Sequence, residues 1–329
     1  MRVIPLLVLG LVLTVKGGDL FVDAAVWIAE VSGLPRFLIG ATVVSLATTL
    51  PELAVSLLAT WRGAGGIAAG NAVGSVAANL GLILGLTLCL ARGVGAREGL
   101  LRKLALMALS ASALWLACRS GALAPIWTPI LPCLCAAFLM DSVRSARRRA
   151  LPREKRPSPT AWASFTSGLK FACGSAGIAV GARLLSDNGV ALARLCGVSD
   201  GVVGATLVAV GTSLPELATA VAALRRGEAS LCVGNIVGAN VIDLTLILPL
   251  CAALHSLALR GAPDGGAAPG GIPLPLPRQT LALDLPFCLV LTLLAALPPL
   301  AEGRFRRFQG PALLAAYAAY VILVARQAG

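Results

Sequence analysis

The chain has 329 residues, of which 57% are hydrophobic and only 13% are charged. Because soluble domains carry about 25% charged residues, this composition excludes an ordinary soluble domain and indicates a protein that crosses the membrane several times. The net charge of +12 does not indicate a nucleic-acid partner, since no basic patch is interleaved with aromatic residues or a reading motif.

Ten apolar segments are long enough to span a lipid bilayer, for which about 20 residues suffice. They are residues 3–24, 37–60, 67–91, 101–118, 123–141, 162–185, 201–224, 229–254, 281–299 and 310–326. The first segment follows Arg2 as a secretory signal would, but polar residues stand where a small-residue cleavage site belongs. We interpret it as a transmembrane helix in which Lys16 and Asp19, one turn apart, neutralise each other.

A basic run divides these segments into two sets of five. We predict a first half over 1–141, a cytoplasmic linker over 142–160 and a second half over 161–329, with a flexible Gly/Pro connector at 261–277. Of the 27 Lys and Arg residues, 18 lie on the linker side. The positive-inside rule therefore places both termini outside, in what we expect to be a bacterial inner (plasma) membrane.

An internal duplication relates the two halves. Residues 40–84 and 204–248 share about 21 identities in 45 positions at a constant offset of 164, without a gap. Five helices per half is an odd number, so the second copy must enter the membrane from the opposite face. The fold class predicted is thus an all-α polytopic membrane protein, with ten transmembrane helices arranged as two inverted five-helix repeats around a midplane site.

Each repeat carries one acid where hydrocarbon is expected. Glu52 lies about fifteen residues into the second segment, and Glu216 about as far into the seventh. An unpaired carboxylate at that depth costs on the order of 3 kcal/mol or more, and no Lys or Arg stands at equal depth in the repeats. The preceding residues, Pro51 and Pro215, free backbone carbonyls that are tolerable only in a cavity or on an ion. The two acids therefore predict a bound cation.

Further oxygen donors flank these acids in the sequence. They are the carbonyls from about Ser45 to Thr48 and from about Ala209 to Thr212, the hydroxyls of Thr48, Thr49, Thr212 and Ser213, and the side chains of Asn79 and Asp243. Hard cations such as Ca²⁺ and Na⁺ bind oxygen, whereas Zn²⁺ and copper favour nitrogen or sulfur. We expect Asn71 and Asn235 to tie helices together, and the glycines at 70, 74, 234 and 238 to allow close helix packing.

At these residues the chain resembles the cation/calcium exchanger superfamily, and in particular the prokaryotic sodium/calcium antiporters. Their repeats read Gly-Thr-Ser-x-Pro-Glu-Leu followed by Gly-Asn-x-x-Gly-Ser-Asn, and residues 211–217 match the first of these motifs. The resemblance implies a secondary antiporter that exchanges Ca²⁺ for Na⁺ by alternating access. It implies no enzymatic activity and no cofactor other than the transported ions.

The same resemblance implies a role for each matched residue. Glu52 and Glu216 would be the central acids shared by Ca²⁺ and Na⁺. The other implied ligands are the Thr48 and Thr212 carbonyls at the calcium position, Ser45, Thr49 and Ser75 at one flanking sodium site, Ala209 and Ser213 at the other, and Asn79 and Asp243 at the centre. The family also implies that the first and sixth helices slide across a rigid core.

Four positions depart from the family pattern. Ala47 replaces a glycine, Thr49 a serine and Val76 an asparagine. Ala239 stands where the family has a serine equivalent to Ser75, so one sodium position loses a hydroxyl. This substitution leaves the ion selectivity and the number of Na⁺ exchanged open.

Other functions compete with sodium/calcium exchange. A proton- or potassium-coupled cation exchanger is the nearest alternative, because a related duplication serves it. An intramembrane hydrolase would need two carboxylates that share a water molecule, and a cation channel would not need an occluded anionic site. Both are weaker interpretations of Pro-Glu-Leu pairs beside amides and hydroxyls. The sequence carries no signal for the oligomeric state.

Overall fold

The computed structural model describes residues 3–91, 98–149, 158–195, 211, 213–260 and 272–328, and these residues are almost entirely helical. The helices are α1 Val3–Ser32, α2 Arg36–Trp61, α3 Gly65–Leu90, α4 Glu98–Ala117, α5 Trp127–Arg149, α6 Ala161–Leu195, α7 Leu214–Arg225, α8 Ala229–Leu259, α9 Thr280–Glu302 and α10 Gln309–Ala328. Nine helices of the described chain are long and apolar enough to cross a membrane, and α7 is described from Leu214 onward. The all-α polytopic fold is confirmed.

Three helices extend eight or more residues beyond their predicted ends. α1 continues to Ser32 and α6 to Leu195, giving helices of 30 and 35 residues. At about 1.5 Å per residue, 30 residues span about 45 Å, so each must tilt or project from a hydrocarbon core of about 30 Å. α5 continues to Arg149, which makes 142–149 the end of a helix rather than part of a linker. Apolar composition marks only the lipid-facing part of such helices.

The two most buried of the nine described spanning helices, α3 and α8, form the centre of the bundle. Within their spanning windows, α3 is 72% buried and α8 is 83% buried, whereas α1 and α6 are each 22% buried. Both α3 and α8 contact α2 and α7, and α9 packs against α3 and α4. A helix that is hydrophobic on all sides is expected to be enclosed by others; α3 and α8, which carry the Gly-Asn motif of each repeat, both have a mean hydropathy of 2.0.

α1 and α6 form a pair at the edge of this bundle. A Cβ built at Gly17 would lie 2.7 Å from the Ile178 amide nitrogen, and one at Gly174 would lie 2.6 Å from the Phe21 amide nitrogen. The two backbones therefore approach in a way that only glycine permits. Toward the rest of the molecule, the pair rests mainly on α7 and on the beginning of α2.

Two contacts between loops report how the helices alternate. A strand at Ala122–Leu123, between α4 and α5, pairs antiparallel with a strand at Leu274–Pro275, between α8 and α9. Arg36, at the start of α2, forms a 3.1 Å ion pair with Glu228, between α7 and α8. Each contact joins two loops that are separated by an even number of helices. In an arrangement of ten spans, two such loops lie on the same side of the membrane and can meet. The strand pairing also orders the end of the connector that we predicted to be flexible.

The two repeats share a backbone irregularity. α3 contains a π-helical segment at Asn79–Leu84, and α8 contains one at Asp243–Ile247. The two segments begin at positions matched by the 164-residue offset. π-Helical turns recur at functional sites because they free or reorient backbone groups, and here each begins at a predicted cation ligand.

Charged residues near the helix ends pair differently from the prediction. Among the described residues the Asp19 carboxylate pairs with Arg226, at 3.9 Å, and not with Lys16. Arg226 also donates to the Asp19 backbone carbonyl at 2.6 Å and contacts the Asp23 carboxylate at 2.8 Å. Lys103 is fully buried within α4, where its Nζ lies 3.3 Å from the Asp141 carboxylate of α5. Counting the Lys and Arg residues of the predicted loops did not predict these two pairs.

Candidate cation-binding site

Proline sets the local backbone of both acidic motifs. Pro51 lies inside α2 and has no N–H to donate, so the carbonyl of Ala47 loses its α-helical partner. Pro215 and Glu216 lie in the first turn of α7 as it is described, from Leu214 onward.

Three acids of the repeats are buried together. Glu52, Glu216 and Asp243 expose 1%, 2% and 1% of their surface. The three carboxyl groups lie close enough to interact electrostatically, Glu52 with both Glu216 and Asp243. No ion pair among the described residues includes any of the three. Their negative charge is therefore not compensated by a basic side chain in this part of the chain.

Buried polar atoms without a hydrogen-bond partner concentrate at the predicted ligands. Such atoms are rare in native proteins, and each calls for an explanation. Within the described ranges there are eight, and seven belong to the predicted residues: Thr49 Oγ1, both carboxylate oxygens of Glu52, Asn79 Oδ1, Ser213 Oγ, Glu216 Oε2 and Asp243 Oδ1. All seven are oxygens, so this arrangement fits a cation ligand set better than a packing motif.

Carboxylates alone do not complete this set. Among the residues described, no three carboxylate, imidazole or thiol groups lie close enough together to hold a metal ion. A cation bound here would therefore need the partnerless amide and hydroxyl oxygens, with the carbonyls freed by proline, as further ligands. A mixed set of charged and neutral oxygens suits Na⁺ and Ca²⁺ and excludes a zinc centre.

The remaining predicted ligands are placed as follows. Ser45 is buried on α2 and donates to the Thr42 carbonyl at 3.2 Å. Thr48 is buried, and its hydroxyl donates to Asn235 Oδ1 at 3.3 Å. Ser75 is buried on α3, one turn before Asn79. Ala209 and Thr212 lie outside the described residues.

The two matched asparagines hold helices together, as predicted. Asn71 donates to the Ser56 hydroxyl at 2.9 Å and to the Glu52 carbonyl at 3.2 Å, which joins α3 to α2. Asn235 donates to the Thr219 hydroxyl at 3.1 Å and accepts from Thr48 at 3.3 Å, which joins α8 to α7 and α2. Their amides are thus committed to helix packing around the acids.

The predicted glycine contacts are confirmed on one side only. At Gly234 an added Cβ would collide with the Phe37 carbonyl, and at Gly238 it would lie 2.6 Å from the Ala41 carbonyl. Glycine therefore sets the separation of α8 from α2. No described atom lies within 4 Å of a Cβ at Gly70 or Gly74, and the residues that the repeat places opposite them, 201–210, are outside the described ranges.

One asparagine in the site was missed by the sequence interpretation. Asn240 is fully buried on α8, and its Oδ1 accepts a hydrogen bond from Asn79 Nδ2 at 3.1 Å. The available signal was its match to the last asparagine of the family motif. The first repeat has Val76 at that position, so comparing the repeats with each other concealed it.

A small cavity lies between the α1–α6 pair and the two proline motifs. Its volume is about 20 Å³, enough for about one water molecule. It is lined by Phe21, Ala47, Thr48, Pro51, Ser175, Ile178, Ala179 and Pro215. The motif residues thus face the peripheral helices through a gap rather than through tight packing.

The family model for "sodium/calcium exchanger protein" matches residues 3–139 and 166–326. The chain belongs to the sodium/calcium exchanger family. This family consists of transporters, and the chain is an integral membrane protein of that class.

Individual family members match over most of the chain. The inner membrane protein YrbG of Escherichia coli (strain K12) is 37% identical over 260 residues, which cover 76% of this chain and 79% of YrbG. The sodium/calcium exchanger MaX1 of Methanosarcina acetivorans is 29% identical over an alignment that covers 97% of both chains. The structure of the sodium–calcium exchanger NCX_Mj soaked with Na⁺ and Sr²⁺ superimposes with a TM-score of 0.79 at 28% identity, over 98% of both chains.

Proposed function

We propose that this exchanger is a secondary antiporter that moves Ca²⁺ against Na⁺ through a carboxylate site near the bilayer midplane. The observation that supports this most directly is the set of seven buried, partnerless oxygens in two repeats that carry uncompensated acids. The full-length relative MaX1 is named a sodium/calcium exchanger, and NCX_Mj has been soaked with Na⁺ and Ca²⁺.

The predicted residues take their roles from the resemblance. Glu52 and Glu216 would bind both ions in turn, since neither carboxylate has a basic partner among the described residues. The supporting ligands would be Asn79 and Asp243 at the centre, Thr48 and Thr212 at calcium, and Ser45, Thr49, Ser75, Ala209 and Ser213 at the flanking sodium positions. An empty site would retain buried negative charge, so crossing the membrane without a cation is costly.

Alternating access would use two parts of the fold, the α1–α6 pair and the remaining helices, which form the repeat core. We propose that α1 and α6 move as a pair over the repeat core, because their mutual interface is far more extensive than their contacts with the core. The cavity beside Thr48 and Pro215 lies at that boundary. We further propose two inverted halves, 1–141 and 161–329, joined by a linker and placed in a bacterial inner membrane with both termini outside.

Proton coupling is the second candidate, and the burial of two acids of the repeats favours it. When no cation is present, a proton on Glu52 or Glu216 would remove one of two buried negative charges that have no basic partner among the described residues. Ala239 also lacks the hydroxyl that the family places at a sodium position. In such an exchanger, a state with a proton on the Glu52–Glu216 pair would alternate with a Ca²⁺-loaded state.

Uptake of ⁴⁵Ca²⁺ into proteoliposomes tests these proposals. We expect uptake driven by an imposed Na⁺ gradient, with pH and K⁺ gradients varied separately to reveal H⁺ or K⁺ coupling. Glu52→Gln and Glu216→Gln should abolish uptake in a folded protein, because each removes a central charge. Glu30→Gln is the matched control, since Glu30 is half exposed and pairs with Arg36 at 3.3 Å. Wild-type uptake by both central variants would refute the site.

A further inference from the structure

The side-chain amide of Asn79 has two chemically opposite ends. Its Oδ1 can bind a cation, whereas its Nδ2 carries only hydrogens and would repel one. Asn79 is fully buried, its Nδ2 donates a hydrogen bond, and its Oδ1 has no partner among the residues that the structure describes. Whether this residue can act as a cation ligand therefore depends on what holds the amide in this orientation.

Asn240 is the group that holds it. Asn240 lies on α8, is fully buried, and accepts from Asn79 Nδ2 through its Oδ1 at 3.1 Å. If the Asn79 amide turned over, two amide oxygens would face each other in a buried site, where repulsion is strong. The pairing across α3 and α8 thus directs the Asn79 oxygen away from Asn240.

The orientation of Asn240 has its own cause. Its Nδ2 lies 3.9 Å from the Met107 sulfur on α4, at the long end of hydrogen-bonding distance for sulfur. A thioether sulfur accepts hydrogen bonds and cannot donate them. It therefore favours the NH₂ end of Asn240 on its side and leaves the oxygen for Asn79.

The repeats differ at this point in a way that fits this interpretation. The position matched to Asn240 is Val76, and the residue matched to Asn79 is Asp243. A carboxylate presents an oxygen whichever way it turns, so it needs no partner to orient it. Asn240 is thus present where the ligand of the other repeat is the amide of Asn79. Its counterpart is Val76, where the ligand of the other repeat is the acid Asp243.

We propose that Asn240 is a positioning residue that orients the Asn79 amide with its oxygen toward the transported cation, and that Met107 in turn orients Asn240. This inference rests on the proposed function, because it assumes that Asn79 is a cation ligand. Asn240 itself need not touch the ion.

Equilibrium ⁴⁵Ca²⁺ binding to the purified full-length protein in detergent tests the proposal. Asn240→Leu should weaken Ca²⁺ binding about 10-fold, the lower end of the effect of removing a group that orients a metal ligand. In the Asn79→Asp background the same substitution should change affinity less than about 2-fold, because a carboxylate needs no orientation. Equal losses in both backgrounds would show a merely structural role and overturn the proposal.

Two further variants keep the test decisive. Met107→Leu preserves volume and should weaken binding by a smaller factor, which gives a result even if Asn240→Leu does not fold; unchanged affinity would remove Met107 from the proposal. Thr87→Val is the matched control, since it breaks a buried 3.2 Å contact between α3 and Cys232 of α8 away from Asn79, and it should bind Ca²⁺ like the wild type. A wild-type protein that neither binds nor transports Ca²⁺ would refute the proposed function, whereas wild-type affinity in Asn240→Leu would refute only the orienting role.

Discussion

Gly238→Ala should weaken ion binding by widening the contact between α2 and α8. A Cβ at Gly238 would lie 2.5 Å from Ser45 Oγ and 2.6 Å from the Ala41 carbonyl oxygen, about 0.8 Å inside the 3.4 Å at which ordinary contact begins. The Ser45 hydroxyl can turn away, but the Ala41 carbonyl is backbone, so the helices must separate. Overpacking of this kind costs about 1–3 kcal/mol, which corresponds to a loss of about 5- to 150-fold in apparent affinity if it falls on the ion-bound state.

The assay is a titration of Na⁺-driven ⁴⁵Ca²⁺ uptake, with thermal unfolding measured on the same preparations. We expect the Na⁺ concentration for half-maximal uptake to rise most, because Ser45 is a predicted sodium ligand. Gly168→Ala is the control, since Gly168 lies in α6 with no described atom within 4 Å of its Cβ, and alanine is a better helix former there. Wild-type titration and stability in Gly238→Ala would show that glycine is not what sets the α2–α8 separation.

Three other predictions follow from single contacts. Ala239→Ser restores the hydroxyl of the family pattern and should steepen the Na⁺ dependence of uptake; an unchanged titration would count against a sodium site there. Asp23→Arg or Arg226→Asp should each alter the exchange rate by about 2- to 5-fold, because each breaks a partly exposed ion pair between α1 and the core. The charge-swapped double variant should recover the wild-type rate; no recovery would show that the pair is irrelevant to α1 movement. Lys103→Met should lower the free energy of unfolding by about 1.5–3 kcal/mol, because a buried charged hydrogen bond to Asp141 is lost; an unchanged melting temperature with normal ion titration would show that the pair contributes nothing.

The chemistry of the site could largely be predicted from the duplicated motifs. Glu52 and Glu216 stand in register with proline, amides and hydroxyls, and membrane depth makes unpaired acids conspicuous. The packing role of Asn71 and Asn235 was also expected, and the two stand at matched positions of the repeats. In these cases one repeat supported the interpretation of the other.

Interactions that break the repeat could not be predicted in this way. Asn240 has only Val76 as its counterpart, so its bond to Asn79 has no equivalent in the other half. Lys103 was counted with loop charges, yet it is enclosed between α4 and α5. The ends of α1, α5 and α6 were missed because helices continue past the hydrocarbon boundary, where hydropathy no longer marks them.

The amino-acid sequence by itself determined that this protein spans the membrane, that its halves are duplicated and that acids lie at matched positions, since hydropathy and repetition are properties of a linear chain. Only the tertiary structure decided which oxygens remain without partners and which amides are committed to one another. Hydrogen-bond satisfaction is settled between helices distant in sequence, and the orientation of a buried amide depends on atoms contributed by three of them.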